Sequence, residues 1–136
     1  DFVIMIAIAK MPQDKFRKDM FKSKRKPLNE VWHGVHYTNI GNIARFAPSA
    51  CNTQPWFVEA TQTGLSVYRY KKPGKRGIMP VAMVTHYNRI DIGIFLLFLE
   101  LCLEHEGIGF ERTLLPDTGD EEKTLIAVYQ LHDPRC

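Results

Sequence analysis

The chain has 136 residues, of which 45% are hydrophobic and 24% are charged, and its formal net charge is +3. This length fits one domain that buries a real core, and the composition is that of an ordinary globular protein, not a disordered or fibrous one. Its three cysteines, Cys51, Cys102 and Cys136, have no paired spacing; they argue against a disulfide framework and favour the cytosol.

The N-terminal third begins with a short apolar run and continues with a basic one. The run Phe2–Ala9 is apolar and rich in β-branched residues, so it predicts a central strand buried on both faces. It is too short to span a membrane. Residues 15–26 are rich in lysine and arginine and predict an irregular solvated connection, which could also attract a nucleotide phosphate. Pro27–Trp32 predicts one helical turn.

The middle of the chain predicts a helix followed by a hairpin. Thr38 or Asn39 is a candidate cap for a helix that runs to Phe46 or Ala47 and ends at Pro48. Trp56–Thr61 and Leu65–Tyr70 then predict two strands joined by a polar turn.

The C-terminal half predicts one long helix and two strands. A helix is predicted from Asn88 or Asp91 to about Glu106, and it is apolar on nearly all sides. Such a helix needs contacts with other apolar residues all around it, which one small domain provides with difficulty. A subunit interface is a natural source of the missing contacts. We expect Gly93 to permit close backbone approach and Gly107 to stop the helix. Ile108–Leu114 and Thr124–Leu131 predict strands around a polar turn.

The histidines and cysteines give no strong sign of a metal or nucleophile site. His33 and His36 have helical spacing, but no thiol or acidic pair completes a zinc shell, so we interpret them as structural and expect no metal. Cys102 lies in an apolar run and is expected to be a small buried hydrophobe. We find no P-loop, dinucleotide-binding fingerprint or nucleophile elbow, and we expect neither a nucleic-acid nor a membrane partner.

The most informative stretch is Ala47-Pro48-Ser49-Ala50-Cys51-Asn52-Thr53-Gln54-Pro55-Trp56. Its small residues permit a flat ring to lie against the backbone, and its amides offer a donor and an acceptor together. The stretch resembles the Pro-Ser-x-x-Asn-x-Gln-Pro-Trp signature of the nitroreductase family of FMN flavoproteins. Ile90-Asp91-Ile92-Gly93 resembles the Asp-x-Gly start of that family's long interface helix.

The resemblance implies an α+β fold of the nitroreductase type, with a central mixed β-sheet flanked by helices. Residues 1–136 would form a single domain that is the C-terminal portion of such a protein, because the family's Arg-Arg-Ser-x-Arg phosphate element has no counterpart here. That absence puts independent flavin binding by this chain in question.

The resemblance also implies a cofactor, FMN, and residues that contact it. Pro48, Ser49 and Ala50 would lie along the isoalloxazine across a homodimer interface, and Asn52 and Gln54 would make polar contacts or lock the loop. Trp56 is expected to be a core anchor, and Arg45 to have a surface or helix-end role.

The implied function is an FMN-dependent oxidoreductase that passes hydride from NAD(P)H through the flavin to a nitroaromatic, a quinone or a similar small-molecule acceptor. No catalytic side chain is needed, since the flavin carries the chemistry. Two alternatives stay open at this point: a flavin or nucleotide carrier without turnover, and an interaction module built on the apolar helix and the basic segment.

Overall fold

The computed structural model describes residues 8–16, 18–19, 23–74, 79–132 and 134. Its helices are α1 (Leu28–Val31), α2 (Thr38–Ala44) and α3 (Val84–His105). Its strands are β1 (Trp32–His33), β2 (Trp56–Ala60), β3 (Gly64–Tyr70), β4 (Gly109–Leu114) and β5 (Lys123–His132). Three-residue 3₁₀ turns cover Gln13–Lys15, Ala50–Asn52 and Val81–Met83.

The five strands form one mixed sheet in the order β1-β2-β3-β5-β4. Only the two-residue pairing of β1 with β2 is parallel among the described strands, and the others are antiparallel. The pairing of β3 with β5 shifts register between Val67 and Tyr68, which marks an irregularity in the ladder. The α+β class with a central mixed sheet is confirmed.

Helix α3 packs across one face of the sheet and supplies much of the core. Strand β3 alternates buried and half-buried residues, as expected when one sheet face is covered and the other faces solvent. The Trp56 and Phe95 rings stack with centroids 4.9 Å apart, and both side chains are almost completely buried. Trp56, the last residue of the signature, is therefore a core anchor, as expected.

A buried ion pair joins the β4–β5 connection to the sheet. Arg69 is fully buried on β3 and donates from Nε and Nη2 to both carboxylate oxygens of Asp117, at 2.7 and 2.9 Å. Arg89 of α3 approaches the same carboxylate at 3.2 Å. Burial alone would raise the pKa of Asp117, but the two guanidinium groups outweigh it and lower that pKa.

The hairpin, α1, β4, β5 and the stop at Gly107 agree with the sequence predictions, whereas the start of α3 and both ends of α2 need correction. Helix α3 begins at Val84, not at Asn88 or Asp91. Helix α2 ends at Ala44, not at Phe46 or Ala47. Its N-cap is Tyr37 in the left-handed conformation, not Thr38 or Asn39, and no side chain makes a cap bond. The strand predicted at Phe2–Ala9 lies largely outside the described residues.

Candidate functional site

The loop between α2 and β2, residues 47–56, carries the predicted cofactor residues, and we call it the signature loop. Its backbone is unusual because Cys51, Asn52 and Gln54 all have positive φ, at 50°, 54° and 48°. Residues other than glycine rarely adopt this left-handed backbone conformation, and they keep it only where the surrounding structure fixes it. The contacts that fix this loop therefore decide the shape of the site.

The first contact is a buried carboxylate on α3. Asp91 accepts a hydrogen bond from the Ala50 amide at 2.8 Å and another from the Thr53 hydroxyl at 3.0 Å. Asp91 is only 2% exposed, and burial raises its pKa although Ala50, Thr53 and Asn88 hold the charged form. The sequence offered Asp91 as a possible start of the long helix. In the structure Asp91 lies within α3 and holds the signature loop through these two hydrogen bonds.

A second contact lies within the loop and fixes its far end. The Gln54 backbone N–H donates to the Ser49 hydroxyl at 2.9 Å, and the Gln54 side-chain Nε2 donates to Asn52 Oδ1 at 3.2 Å. Gln54 is buried and Ser49 is half-buried. These bonds hold the left-handed residues between them in one arrangement.

The third contact is the basic segment, which crosses directly over the loop. Asn52 Nδ2 donates to the Lys24 carbonyl at 3.0 Å, and Arg25 Nη1 donates to Asn52 Oδ1 at 3.1 Å. The Lys26 amide donates to Gln54 Oε1 at 2.7 Å, and its Nζ donates to the Gln54 carbonyl at 3.0 Å. The hydrogen bonds found for the Asn52 and Gln54 side chains are therefore made with the basic segment and with the loop itself.

A second loop, residues 71–74, packs against the signature loop. Asn88 of α3 holds it by accepting from the Lys72 amide at 2.7 Å and donating to the Lys72 carbonyl at 3.1 Å. A Cβ at Gly74, whose φ is +80°, would lie 3.1 Å from the Cys51 Cβ. Asn88 and Asp91 are one helical turn apart, so one face of α3 positions both loops.

The outer edge of the signature loop is open. Pro48, Cys51 and Asn52 are exposed and Ser49 and Ala50 are half-buried, whereas Thr53 to Trp56 are buried. The small side chains at positions 49 and 50 leave the backbone accessible, which is what a flat ring such as the FMN isoalloxazine requires. The chemistry of this edge fits that cofactor: small residues on a rigid loop, with cations beside it.

Arg45 lies at the C-terminal end of α2, as the sequence predicted. It donates from Nε to Asn42 Oδ1 at 2.9 Å and from Nη1 to the Lys26 carbonyl at 3.0 Å, and its guanidinium stands 4.3 Å from the Phe46 ring centroid. Sequence reasoning missed that residues 24–26 and Arg45 meet at the loop, because 19 residues or more separate them. The local excess of basic residues was the available signal.

An apolar groove of ≈ 350 Å³ lies elsewhere, between α2 and the C-terminal part of α3. Ile43, Phe98, Leu101 and Cys102 line it, and burial raises the pKa of the Cys102 thiol. Cys102 is half-buried, somewhat less enclosed than predicted. No cluster of three or more potential metal ligands occurs within the described ranges.

Comparison with known proteins places the chain in a family. The sequence profile of the family described as "Putative TM nitroreductase" matches residues 1–103, about three quarters of the chain. The chain belongs to this nitroreductase family. No curated protein matches the chain.

A solved structure shares the fold of this chain. It is titled as a "putative nitroreductase" from Thermotoga maritima, and it superposes with a TM-score of 0.51 at 21% sequence identity. The match covers 82% of this chain and 42% of that chain, so this chain spans less than half of the length of that protein. At this level of identity the match supports the fold and leaves the activity to be argued from the site.

Helix α3 is long and apolar enough to cross a membrane by length and composition alone, a test that core helices of soluble proteins also meet. In this nitroreductase α3 covers the sheet with Phe95, Leu99 and Leu103 and buries the polar residues Asn88 and Asp91 against two loops. We therefore interpret it as a core helix.

Proposed function

We propose that this nitroreductase is an FMN-dependent oxidoreductase that uses NAD(P)H to reduce nitroaromatics, quinones or similar small acceptors. The observation that carries the proposal is the open edge at Pro48–Asn52 on a loop whose polar side chains are all directed to internal partners. Membership of a nitroreductase family supports the reaction class. The thiols at Cys51 and Cys102 are unbridged, in keeping with the cytoplasmic location we propose.

The protein's own contribution is a rigid and uncrowded ring platform. Bound FMN would supply the hydride chemistry, and Pro48, Ser49 and Ala50 would hold its ring system by contact with the backbone. Asn52 and Gln54 act indirectly, since their side chains fix the loop from within. Asp91 sets the direction of the Ala50 amide by accepting its hydrogen bond. Hydride transfer depends on such alignment more than on an acid or a base.

We propose further that the platform is completed by a second copy of the chain, which packs against the outer side of α3. Exposed or half-exposed apolar residues recur along this side at spacings of four and three, the pattern of a helix-pairing seam. They are Met83, Tyr87, Ile90, Ile94, Leu97 and Leu101. Gly93 adjoins the seam, and a Cβ there would meet no atom within 4 Å. The apolar groove shares Leu101 with the seam, so the two form one continuous surface.

The test uses purified protein mixed with FMN, followed by visible absorption before and after addition of NADPH or NADH under anaerobic conditions. We expect a bound flavin spectrum that bleaches and returns when a quinone or nitroaromatic is added. A bound flavin that neither nucleotide bleaches would favour a carrier without turnover. Absence of any flavin binding would refute the proposed function.

A pair of tryptophan variants tests the location of the ring. Ser49→Trp places a bulky side chain on the open edge, so we expect FMN binding and NAD(P)H oxidation to be lost. Val35→Trp adds the same side chain at a position that is 83% exposed and outside the loop, and we expect it to bind FMN as the parent protein does. Equal flavin binding by the two variants would place the ring elsewhere.

A further inference from the structure

The loop of residues 71–74, which we call the 71–74 loop, touches the signature loop beside its open edge. A Cβ at Gly74 would lie 3.1 Å from the Cys51 Cβ and 3.4 Å from Thr53 Cγ2. The backbone at Gly74 has a φ of +80°, which also favours glycine. Cys51 is exposed whereas Thr53 is buried. The contact therefore lies where the signature loop meets solvent, and its closeness depends on the absence of a side chain at residue 74.

A buried amide on α3 fixes the position of the 71–74 loop. Asn88 is 0% exposed, and its side chain accepts from the Lys72 N–H at 2.7 Å and donates to the Lys72 carbonyl at 3.1 Å. One amide thus pairs with both polar groups of one residue's backbone. Within the described part of the chain, the hydrogen bonds found for residues 72–74 are these two. Loss of the Asn88 amide would therefore release the loop beyond Lys71.

Both lysines of the 71–74 loop have partners within the protein. The Lys71 ammonium forms an ion pair with Asp120, and the Lys72 ammonium lies 5.3 Å from the centroid of the Tyr70 ring. The residue in contact with Cys51 is Gly74, and the exposed Pro73 precedes it. Neither carries a charge, and the proline ring is rigid. A neutral surface of this kind suits a flat uncharged molecule, such as a quinone, better than an anion.

We propose that the 71–74 loop is a wall of the acceptor site that limits the size of the molecule reduced there, and that Asn88 is the positioning residue of this wall. The inference deepens the proposed function and rests on it for the reaction. Asn88 acts through the Lys72 backbone. Asp91, one turn further along α3, holds the signature loop through the Ala50 amide. One buried turn of the helix therefore sets the distance between the ring platform and the wall.

The test measures selectivity for acceptor size as the ratio of kcat/KM for a tricyclic quinone, phenanthrenequinone, to kcat/KM for monocyclic benzoquinone. Asn88→Ala removes both bonds to Lys72 and loosens the wall, so we expect the ratio to rise severalfold. Pro73→Trp adds bulk to the exposed side of the wall, so we expect the ratio to fall severalfold. The opposite directions are informative because general damage to the protein does not produce them. Pro73→Trp leaves the buried Asn88 contacts in place and keeps the test decisive if Asn88→Ala folds poorly.

Each variant has a matched control. Tyr129→Phe removes another buried hydrogen bond, from the Tyr129 hydroxyl to Glu100 Oε1 at 2.7 Å. Glu100 lies about 18 Å along α3 from Asn88, so this variant loses stability without touching either loop. Val35→Trp adds a tryptophan at a position that is 83% exposed and outside both loops. We expect both controls to keep the ratio of the parent protein. Hydrogen exchange at the Lys72 amide should quicken in Asn88→Ala and stay slow in Tyr129→Phe.

The outcomes separate this inference from the proposed function. Unchanged ratios in Asn88→Ala and Pro73→Trp, in a protein that reduces both quinones through a bound flavin, would refute the wall and leave the oxidoreductase standing. A ratio that responds to Pro73→Trp alone would retain the wall and overturn the role of Asn88. The same change in Tyr129→Phe as in Asn88→Ala would also overturn that role, because lost stability alone would explain it. A protein that binds no flavin would refute the proposed function and, with it, the inference.

Discussion

Removal of the Asp91 carboxylate should loosen the signature loop and destabilise the whole fold. In Asp91→Ala the half-buried Ala50 amide and the buried Thr53 hydroxyl lose their acceptor. A hydrogen bond to a charged group contributes about 1.5 kcal/mol or more, so the two bonds amount to about 3 kcal/mol. Relief of the buried charge offsets part of this loss, and we expect a net decrease of about 2 kcal/mol in the free energy of unfolding.

Urea denaturation with matched variants measures this loss. Asp91→Asn keeps an acceptor oxygen for Ala50, and its amide can donate to the Thr53 hydroxyl, so we expect a decrease of about 1 kcal/mol or less. Glu104→Ala removes an exposed carboxylate from the same helix and should change stability by less than about 0.5 kcal/mol. The three variants should share one m-value, so that midpoints report stability.

The reasoning fails if Asp91→Ala is as stable as Glu104→Ala, because the carboxylate would then hold nothing of consequence. It also fails if Asp91→Ala binds FMN as tightly as the parent protein does. The account requires that the loop lose its fixed left-handed backbone and that flavin affinity fall with it.

Three further results are expected. Arg69→Leu should lower the free energy of unfolding by about 3 kcal/mol, because Asp117 stays largely buried without its main partner, and an unchanged urea midpoint would contradict this. The folded state lowers the pKa of Asp117, so the contribution of this carboxylate to stability is complete above pH about 4 and is lost as the pH falls below that value. Asp117→Asn should therefore have a flatter dependence of stability on pH in the acid range. A dependence parallel to that of the parent protein would count against the ion pair. Leu97→Glu should give monomers in sedimentation experiments. Leu114→Glu changes an equally exposed residue on β4 and should leave the dimer intact. Dimers formed by both variants would show that the interface does not include this side of α3.

The regular elements were largely accessible to sequence reasoning because their signals are local. The hairpin follows from two β-rich runs around a polar turn, and the end of α3 from Gly107. The start of α3 was misplaced because its N-cap is Met83, which has no capping side chain, whereas Asn88 and Asp91 are of the residue types that usually cap helices. The early end of α2 was missed for a different reason, since Pro48 is a strong stop signal that lies four residues beyond the true end.

The contacts that shape the candidate site were not predictable from the sequence. Asp91 meets Ala50 across 41 positions, and Lys26 meets Gln54 across 28. Such pairs have no periodicity or spacing of their own, because tertiary folding alone brings them together. The pairing of Arg69 with Asp117 was hidden for a related reason: an acidic stretch in a polar turn is usually solvated, and only the burial of its partner on β3 changes that interpretation.

A crystal structure of the protein grown with FMN would test the central claim most directly. The account predicts the isoalloxazine in van der Waals contact with the backbone at Pro48–Ala50, near the α3 seam of a two-fold partner. A flavin ring bound away from this edge, or an edge covered by the partner chain with no space for a ring, would contradict it.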